Sequence, residues 1–199
     1  MKTSKSVEQV TELIREIHKP RALVAIDGHS AAGKTTLAKM IQQSIAESQI
    51  IHTDDFYRVM ETTKRETLNA EKGYQLYYDW ERLENQVLLP FSKGKGIRYQ
   101  KYSWQDNQLI DWVEVVPEGI VLIEGCYSAR PELKHYYDLI VFVETNMQER
   151  IKRQAIRADA SPEWLERWDA AERFYIQKYQ PASYANYVVR SSGSNIIEE

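Results

Sequence analysis

Gly28, Gly33, Lys34 and Thr35 stand at the spacing G-x-x-x-x-G-K-T, which is typical of a phosphate-binding loop. The apolar run 23–26 precedes this pattern and a helical pattern follows it, as the motif requires. Glycine lets the backbone wrap closely around phosphates, and the loop N–H groups point at the anion. The sequence therefore predicts that the whole loop binds a nucleotide, through Gly28, His29, Ser30, Ala31, Ala32, Gly33, Lys34, Thr35 and Thr36.

Carboxylates follow two of the predicted strands. Asp54 and Asp55 come directly after the short strand 50–52, at the strand end where open α/β sheets bind ligands. Glu124 ends the apolar strand 119–123, where a carboxylate can support Mg²⁺ directly or through water. The structural alternatives are a pair of helix caps for the two aspartates and an arginine partner for Glu124.

A row of arginines follows the last clear core strand. Arg150, Arg153 and Arg157 are three and four residues apart on the predicted helix 147–158, so they share one face. In a protein with a phosphate-binding loop, such a row is a candidate lid that closes over the transferred phosphate. A solvated charged face is the alternative.

The composition is that of one ordinary globular domain. The chain has 199 residues, of which 43% are hydrophobic and 28% charged. Its net charge of -3 gives no electrostatic case for binding nucleic acid or an anionic membrane. The single Cys126 excludes an intrachain disulfide and a cysteine-rich metal site. We expect a cytoplasmic protein, since residues 1–19 lack the apolar core of a signal peptide and no apolar run is long enough to span a bilayer.

Strands alternate with helices along the chain, which predicts a parallel sheet with helices on both faces. A β-hairpin, 97–104 and 109–116, interrupts the alternation, and the polar stretch 58–73 is expected to be a flap. The remaining predicted strands are 22–26, 50–52, 119–123, 139–143 and 187–189. The predicted helices are 6–18, 34–48, 79–89 (capped by Asp79 and closed by Pro90), 131–137, 147–158 and 161–179.

The expected fold is therefore α/β, a three-layer P-loop NTPase fold with a mostly parallel sheet, a β-hairpin insertion and an arginine-bearing lid. Residues 1–199 are expected to form one domain, with an N-terminal helix in 1–20, an acceptor-side insertion at about 58–116 and a lid at about 150–170. The aromatic region 79–112 could also serve as a dimer surface, so the sequence leaves a homo-oligomer open.

Six features together resemble the uridine kinase-like P-loop kinases, a group that includes phosphoribulokinase, pantothenate kinase and nicotinamide riboside kinase. They are the P-loop, the segment 54–58, the hairpin arm 99–104, the triplet 123–125, Asp138 with its following strand, and the arginine helix. The resemblance spans roughly residues 22–190. It implies transfer of the γ-phosphate of ATP, with Mg²⁺, to a hydroxyl group of a small molecule.

The resemblance also implies roles for individual residues. Asp54 matches the general base of the family and, with Lys34, Arg150 and Arg153, forms the expected catalytic set. Thr35 and Glu124, together with Asp54, match positions around the magnesium ion. The expected acceptor-binding residues are Asp55, Phe56, Tyr57, Arg98, Tyr102 and Arg157.

The acceptor stays open at this point. Gln154 follows Arg153 where uridine kinases usually carry a second arginine, and the hairpin segment 102–105 lacks their histidine and arginine. A nucleoside is favoured, and nicotinamide riboside, pantothenate or a sugar phosphate is the alternative. A nucleotide switch is disfavoured because the guanine-reading N-K-x-D pattern does not occur. A non-catalytic ATP-binding regulatory module is the remaining alternative.

Overall fold

The computed structural model describes residues 5–157, 161–192 and 195–196. The chain divides into two compact units. Unit 1 comprises Met1–Ile51, Glu118–Asp159 and Gln180–Glu199, and unit 2 comprises His52–Pro117 and Ala160–Tyr179. The single domain predicted over residues 1–199 stays a prediction.

The predicted β-strands are all present within the described ranges. They are β1 (Arg21–Gly28), β2 (Ser48–His52), β3 (Ile97–Ser103), β4 (Gln108–Val115), β5 (Gly119–Glu124), β6 (Leu139–Thr145) and β7 (Tyr187–Ser192), and the structure adds an unpredicted strand, β8 (Asn195–Ile196). One sheet has the order β2-β5-β1-β6-β7-β8, and β3 pairs with β4 as a separate hairpin. In the larger sheet β1 pairs in parallel with β5 and β6, β6 pairs in parallel with β7, and β8 is antiparallel to β7. The expected α/β class with a mostly parallel sheet flanked by helices is confirmed.

The helices of the described residues agree with the sequence in most places. They are α1 (Val7–Arg15), α2 (Lys34–Ser44), α3 (Thr62–Glu66), α4 (Ala70–Leu76), α5 (Trp80–Leu83), α6 (Leu89–Ser92), α7 (Met147–Arg157), α8 (Pro162–Tyr179) and α9 (Pro181–Tyr184). No helix in these ranges combines the length and apolar character needed to cross a bilayer.

A hydrophobic cluster of unit 1 lies on one face of the larger sheet. Ser6 caps α1, accepting from the backbone of Gln9 while the Gln9 side chain accepts from the Ser6 backbone. The apolar faces of α1 and α2 then pack with every second residue of the central strands, because side chains alternate across a strand. The buried residues of this cluster include Val10, Ile14, Val24, Ile26, Leu37, Ile41, Leu122, Val141 and Val143.

The polar stretch 58–73 is not the aperiodic flap that the sequence predicts. It contains α3 and most of α4, and the side chain of Asn69 caps α4 by accepting from the backbone of Lys72. Tyr74 of α4 is buried and stacks on Tyr175 of α8 at 5.3 Å between ring centroids. Helices of five and seven residues are too short to show a hydrophobic period, so tertiary packing holds them.

The helix predicted to close at Pro90 continues past it. Asp79 caps α5 as expected, but a π-helical turn, Glu84–Leu88, follows and leads into α6. Pro90 stands in the first turn of α6, where its missing N–H group is tolerated. The predicted helix 131–137 is also wrong, since this segment holds only a 3₁₀ turn at Lys134–Tyr136.

Gly119 starts β5 in a conformation that requires glycine. Its φ is +66°, and a Cβ atom there would lie 2.2 Å from the carbonyl oxygen of Glu47. The same oxygen accepts a hydrogen bond from the backbone of Ile120 at 3.0 Å, so it cannot retreat without breaking that contact. The start of a central strand therefore depends on the absence of a side chain at this position.

We expect Gly119→Ala to lower the free energy of unfolding by about 2–4 kcal/mol, through strain and the backbone clash. Gly96→Ala is the matched control, because a Cβ atom there meets no heavy atom within 4 Å. This control is expected to change stability by less than about 1 kcal/mol. Urea denaturation of both variants checks the prediction, and equal midpoints for the two would contradict it.

Candidate functional site

The loop that follows β1 has the shape of a phosphate cradle. Gly28 has a φ of +148°, and a Cβ atom there would lie 2.4 Å from the carbonyl oxygen of Val143. Ala31 has a φ of 60° and Gly33 a φ of 102°, directly before α2 begins. Left-handed residues next to a helix N-terminus turn successive N–H groups toward one point, which suits an anion.

Three predicted site residues meet beside this loop in unit 1. The Oγ1 atom of Thr35 donates to Oε1 of Glu124 at 3.1 Å, and Glu124 is buried. The Nζ atom of Lys34 donates to the carbonyl oxygen of His29 at 2.7 Å and lies 3.4 Å from Sγ of Cys126. A hydroxyl and a carboxylate at this distance form the oxygen donor set that suits Mg²⁺, which usually keeps several waters.

One predicted lid arginine reaches the loop. Nη1 of Arg153 donates to the carbonyl oxygen of Ala31 at 3.1 Å, and its Nε atom donates to Glu149 at 3.1 Å. Arg150, one turn earlier on α7, is buried. Arg157 is the last residue of α7, and its side chain lies outside the described part of the chain, as do residues 158–160 of the predicted lid.

Asp27 organises the loop from beneath, and the sequence analysis did not identify it. Its carboxylate is fully buried and accepts from the backbone N–H groups of Gly28 at 2.6 Å, Tyr127 at 3.1 Å and Ala129 at 3.0 Å. Burial and, to a lesser degree, the charge of Asp27 raise the pKa of Tyr137 well above its ordinary value. An acidic residue at the end of an otherwise apolar strand is the signal that could have revealed this role.

In unit 2, the two adjacent aspartates each accept a hydrogen bond from a tyrosine. Both stand in the 3₁₀ turn Thr53–Phe56 that follows β2. The hydroxyl of Tyr78 donates to Oδ1 of Asp54 at 2.6 Å, and the hydroxyl of Tyr99 donates to Oδ2 of Asp55 at 3.1 Å. Asp54 is exposed and Asp55 is half-buried, so the first carboxylate is the more accessible one.

The environment of Asp55 differs in electrostatics as well. Burial raises the pKa of Asp55, while the charge of Lys101 and the hydrogen bond from Tyr99 partly oppose that change. Burial, followed by the charge and the hydrogen bond of Asp55, raises the pKa of Tyr99 well above its ordinary value. Tyr99 therefore keeps its proton and donates to Asp55, which favours a structural role for this second carboxylate.

Arg82 connects the turn to the hairpin. Its Nη2 atom donates to the carbonyl oxygen of Asp55 at 2.6 Å, and its Nη1 atom donates to the carbonyl oxygen of Gln100 at 2.6 Å. The guanidinium also lies 4.6 Å from the centre of the Phe56 ring. Burial lowers the pKa of Arg82, against the charges of Asp79 and Asp55. The fork geometry of arginine fixes two backbone segments at once.

Aromatic rings surround Tyr57, and we call them, with Tyr57, the Tyr57 cluster. The centroid distances from Tyr57 are 4.3 Å to Tyr78, 5.8 Å to Tyr102, 4.2 Å to Trp104 and 5.6 Å to Trp168. Most of these rings are buried, but Trp104 remains 47% exposed. The cluster thus presents an aromatic face to its surroundings.

Residues 23–173 match the family described as PRK: Phosphoribulokinase / Uridine kinase family. The chain belongs to this family. It is 29% identical over 142 residues to a uridine kinase of Halobacterium salinarum, covering 69% of this chain and 63% of that protein. It is 28% identical over 140 residues to uridine-cytidine kinase B of Dictyostelium discoideum, covering 68% of this chain and 57% of that protein.

A solved structure shares the fold. It is that of a protein described as a possible uridine kinase from Bacillus stearothermophilus, with a TM-score of 0.71 and 22% identity over 92% of this chain and 96% of that chain. The matches to the two curated relatives span only 63% and 57% of their lengths. The family match and the solved structure establish family membership and fold. Because the matches leave more than a third of each curated relative uncovered, the activity and the acceptor are proposed separately.

Within each unit, the structure places several of the predicted site residues next to one another. Unit 1 groups Lys34, Thr35 and Glu124 at the loop, and unit 2 groups the aspartates with Phe56, Tyr57 and Tyr102. Arg98 does not join them. It lies on the exposed face of β3, 3.4 Å from Glu114 and with its guanidinium 4.1 Å from the Trp112 ring centre. Alternation along the strand sends Arg98 and Tyr99 to opposite faces.

Several supporting residues besides Asp27 have no motif of their own. They contact the predicted residues from distant positions, through hydroxyl groups, guanidinium groups or an aromatic ring. They are Arg65, Tyr78, Arg82, Tyr99 and Trp168.

We expect Arg82→Lys to destabilise the protein by about 2–3 kcal/mol, because one ammonium group cannot hold the carbonyls of Asp55 and Gln100 together. Arg98→Lys is the matched control on β3, the strand that Arg82 contacts at Gln100, and there both members of the pair with Glu114 are exposed. It should cost less than about 1 kcal/mol. Chemical denaturation followed by circular dichroism checks both, and a neutral Arg82→Lys would contradict the assigned role.

Proposed function

We propose that this protein is a kinase that transfers the γ-phosphate of ATP to a hydroxyl group of a small molecule, with a nucleoside as the favoured acceptor. The observation that carries the proposal is the contact of Thr35 with Glu124 beside Lys34 in a family member with a complete P-loop. Oxygen ligands and a lysine at the end of a phosphate cradle serve phosphoryl transfer rather than simple nucleotide retention.

Unit 1 supplies charge neutralisation in this proposal. The loop N–H groups and Lys34 bind the ATP phosphates, and Arg153 and Arg150 stabilise the charge that develops during transfer. Thr35 and Glu124 would hold Mg²⁺. When bound, Mg²⁺ neutralises part of the phosphate charge.

Unit 2 supplies the acceptor side. Asp54 accepts the proton of the attacking hydroxyl group, and its greater exposure compared with Asp55 supports this division of roles. Asp55, held through its carboxylate and its carbonyl by Tyr99 and Arg82, keeps the turn in place. Phe56, Tyr57 and Tyr102 are proposed to line the acceptor pocket.

The chemistry of unit 2 supports a nucleoside over a sugar phosphate. The Tyr57 cluster offers aromatic faces to a planar base. A buried cation, Arg65, lies beside this cluster. It donates hydrogen bonds to the hydroxyl of Tyr102, to Asn107 and to the carbonyl oxygen of Arg58. Arg82 likewise donates to backbone carbonyls. A phosphate on the acceptor would have to compete with these internal contacts. The named curated relatives, a uridine kinase and a uridine-cytidine kinase, also point to a nucleoside.

The acceptor is tested by measuring ADP release with ATP and Mg²⁺ across uridine, cytidine, nicotinamide riboside, pantothenate and sugar phosphates. We expect release above the acceptor-free rate with a nucleoside and none with sugar phosphates. The opposite ranking would overturn the nucleoside assignment. ATP binding with no acceptor-dependent release across the panel would favour a non-catalytic ATP-binding module.

Two substitutions test the roles of the named residues. We expect Lys34→Ala and Asp54→Asn each to lower turnover at least ~100-fold, through loss of charge stabilisation and of the general base. Lys39→Ala on α2 and Asp111→Asn on β4, both at exposed positions, are the matched controls and should keep wild-type turnover. Normal turnover in a site variant would remove that residue from the mechanism.

A further inference from the structure

Tyr78 lies just after α4 and donates its hydroxyl hydrogen to Oδ1 of Asp54 at 2.6 Å. This distance is typical of a hydrogen bond from an O–H group to an ionised carboxylate. Such a hydrogen bond is roughly twice as strong as one between neutral groups. Tyr78 is thus in direct contact with the carboxylate to which the proposed function assigns proton removal.

The surroundings of Tyr78 keep its hydroxyl group in one place. Its ring is 3% exposed and packs against Tyr57 at 4.3 Å and Trp168 at 5.7 Å between centroids. Its backbone forms an antiparallel bridge with Tyr57, three residues after Asp54. Donor and acceptor therefore stand on two segments that are also joined through the backbone and through ring packing.

We infer that Tyr78 is a positioning residue that holds one carboxylate oxygen of Asp54 and so directs the other toward the acceptor hydroxyl. This inference rests on the proposed function, in which Asp54 is the base. A carboxylate turns freely about its terminal bond unless one oxygen is held, and a general base works only within hydrogen-bond reach of the proton. The Tyr57 cluster thereby contributes to catalysis by orienting the carboxylate of Asp54, in addition to any contact with the acceptor.

The neighbouring residue offers a matched control. Tyr77 is 1% exposed and packs on Trp168 at 5.4 Å and Trp164 at 5.0 Å, so it shares the aromatic environment of Tyr78. Its hydroxyl oxygen, however, has no hydrogen-bond partner among the described residues. Tyr77→Phe and Tyr78→Phe remove the same atom from adjacent buried rings, and only the second removes a contact with Asp54.

The first experiment needs no activity. In the ligand-free protein, the carboxyl carbon of Asp54 is observed by NMR at one fixed pH after ¹³C labelling of aspartate, with Asp54→Asn identifying its signal. Loss of the hydrogen bond from Tyr78 changes the surroundings of this carbon, so Tyr78→Phe should shift its signal. Tyr77→Phe should leave the signal unchanged. Equal Asp54 signals in Tyr78→Phe and the wild type would overturn the inference.

Other ionisable groups near Asp54 are retained in both variants. They are Asp55 beside it in the chain, Asp79 beside Tyr78, Tyr57 packed on the Tyr78 ring, and Tyr99, Arg82, Lys101 and His52 around Asp55. A change confined to Tyr78→Phe is therefore assigned to the lost hydroxyl group.

The second experiment measures catalysis with the acceptor found in the panel. Tyr78→Phe should lower kcat about 5–30-fold and change the KM values for ATP and acceptor less than about 3-fold. Tyr77→Phe should match the wild type in both. A higher KM with an unchanged kcat would overturn the positioning role, since it indicates that Tyr78 contacts the acceptor in its pocket. An inactive wild type with an intact NMR response would instead count against the proposed function.

Discussion

The buried carboxylate of Asp27 is the constraint on which the nucleotide half of this molecule depends. It accepts backbone N–H groups from the first residue of the phosphate loop and from two residues that follow Glu124. A buried charge of this kind is tolerated only when it is fully bonded, so the two segments must stay in one arrangement. This anchoring holds the loop near the segment after Glu124, in the arrangement in which Thr35 donates to Glu124.

In unit 2, carboxylates are held by donor groups of side chains rather than by backbone N–H groups. Two adjacent carboxylates would repel each other and turn freely if left in water. Tyr78 and Tyr99 hold them separately, and Arg82 fixes the backbone on which they stand. One turn of four residues can therefore carry one accessible carboxylate and one half-buried one.

The fold and the phosphate-binding loop were predictable because they depend on local sequence patterns. The P-loop spacing, the apolar strands and the hairpin are each visible within a dozen residues, and each is confirmed as an element of the structure. The short helices α3 and α4 and the continuation past Pro90 were not predictable, because packing rather than local propensity determines them. The role of Tyr78 was not predictable for a related reason, since its partner Asp54 is distant in sequence and no spacing rule connects the two. The charge of Arg98 suggests a contact with the acceptor. Strand alternation, however, places Arg98 on the opposite face of β3 from Tyr99.

The strand order β2-β5-β1-β6 has a consequence for how the chain acquires its structure. β1 pairs with β5 from Arg21↔Gly119 to Ile26↔Glu124, so its neighbour emerges only after the whole helix and hairpin segment of unit 2 has been synthesised. Until then the apolar edge of β1 is unpaired, and closing so long a loop slows folding. The hairpin of β3 and β4 rests on near contacts and can form before β5 emerges, whereas α4 packs on α8, which follows β5 in the chain. Formation of the hairpin shortens the effective loop that β1 and β5 must close, so it assists the assembly of a sheet to which it does not belong.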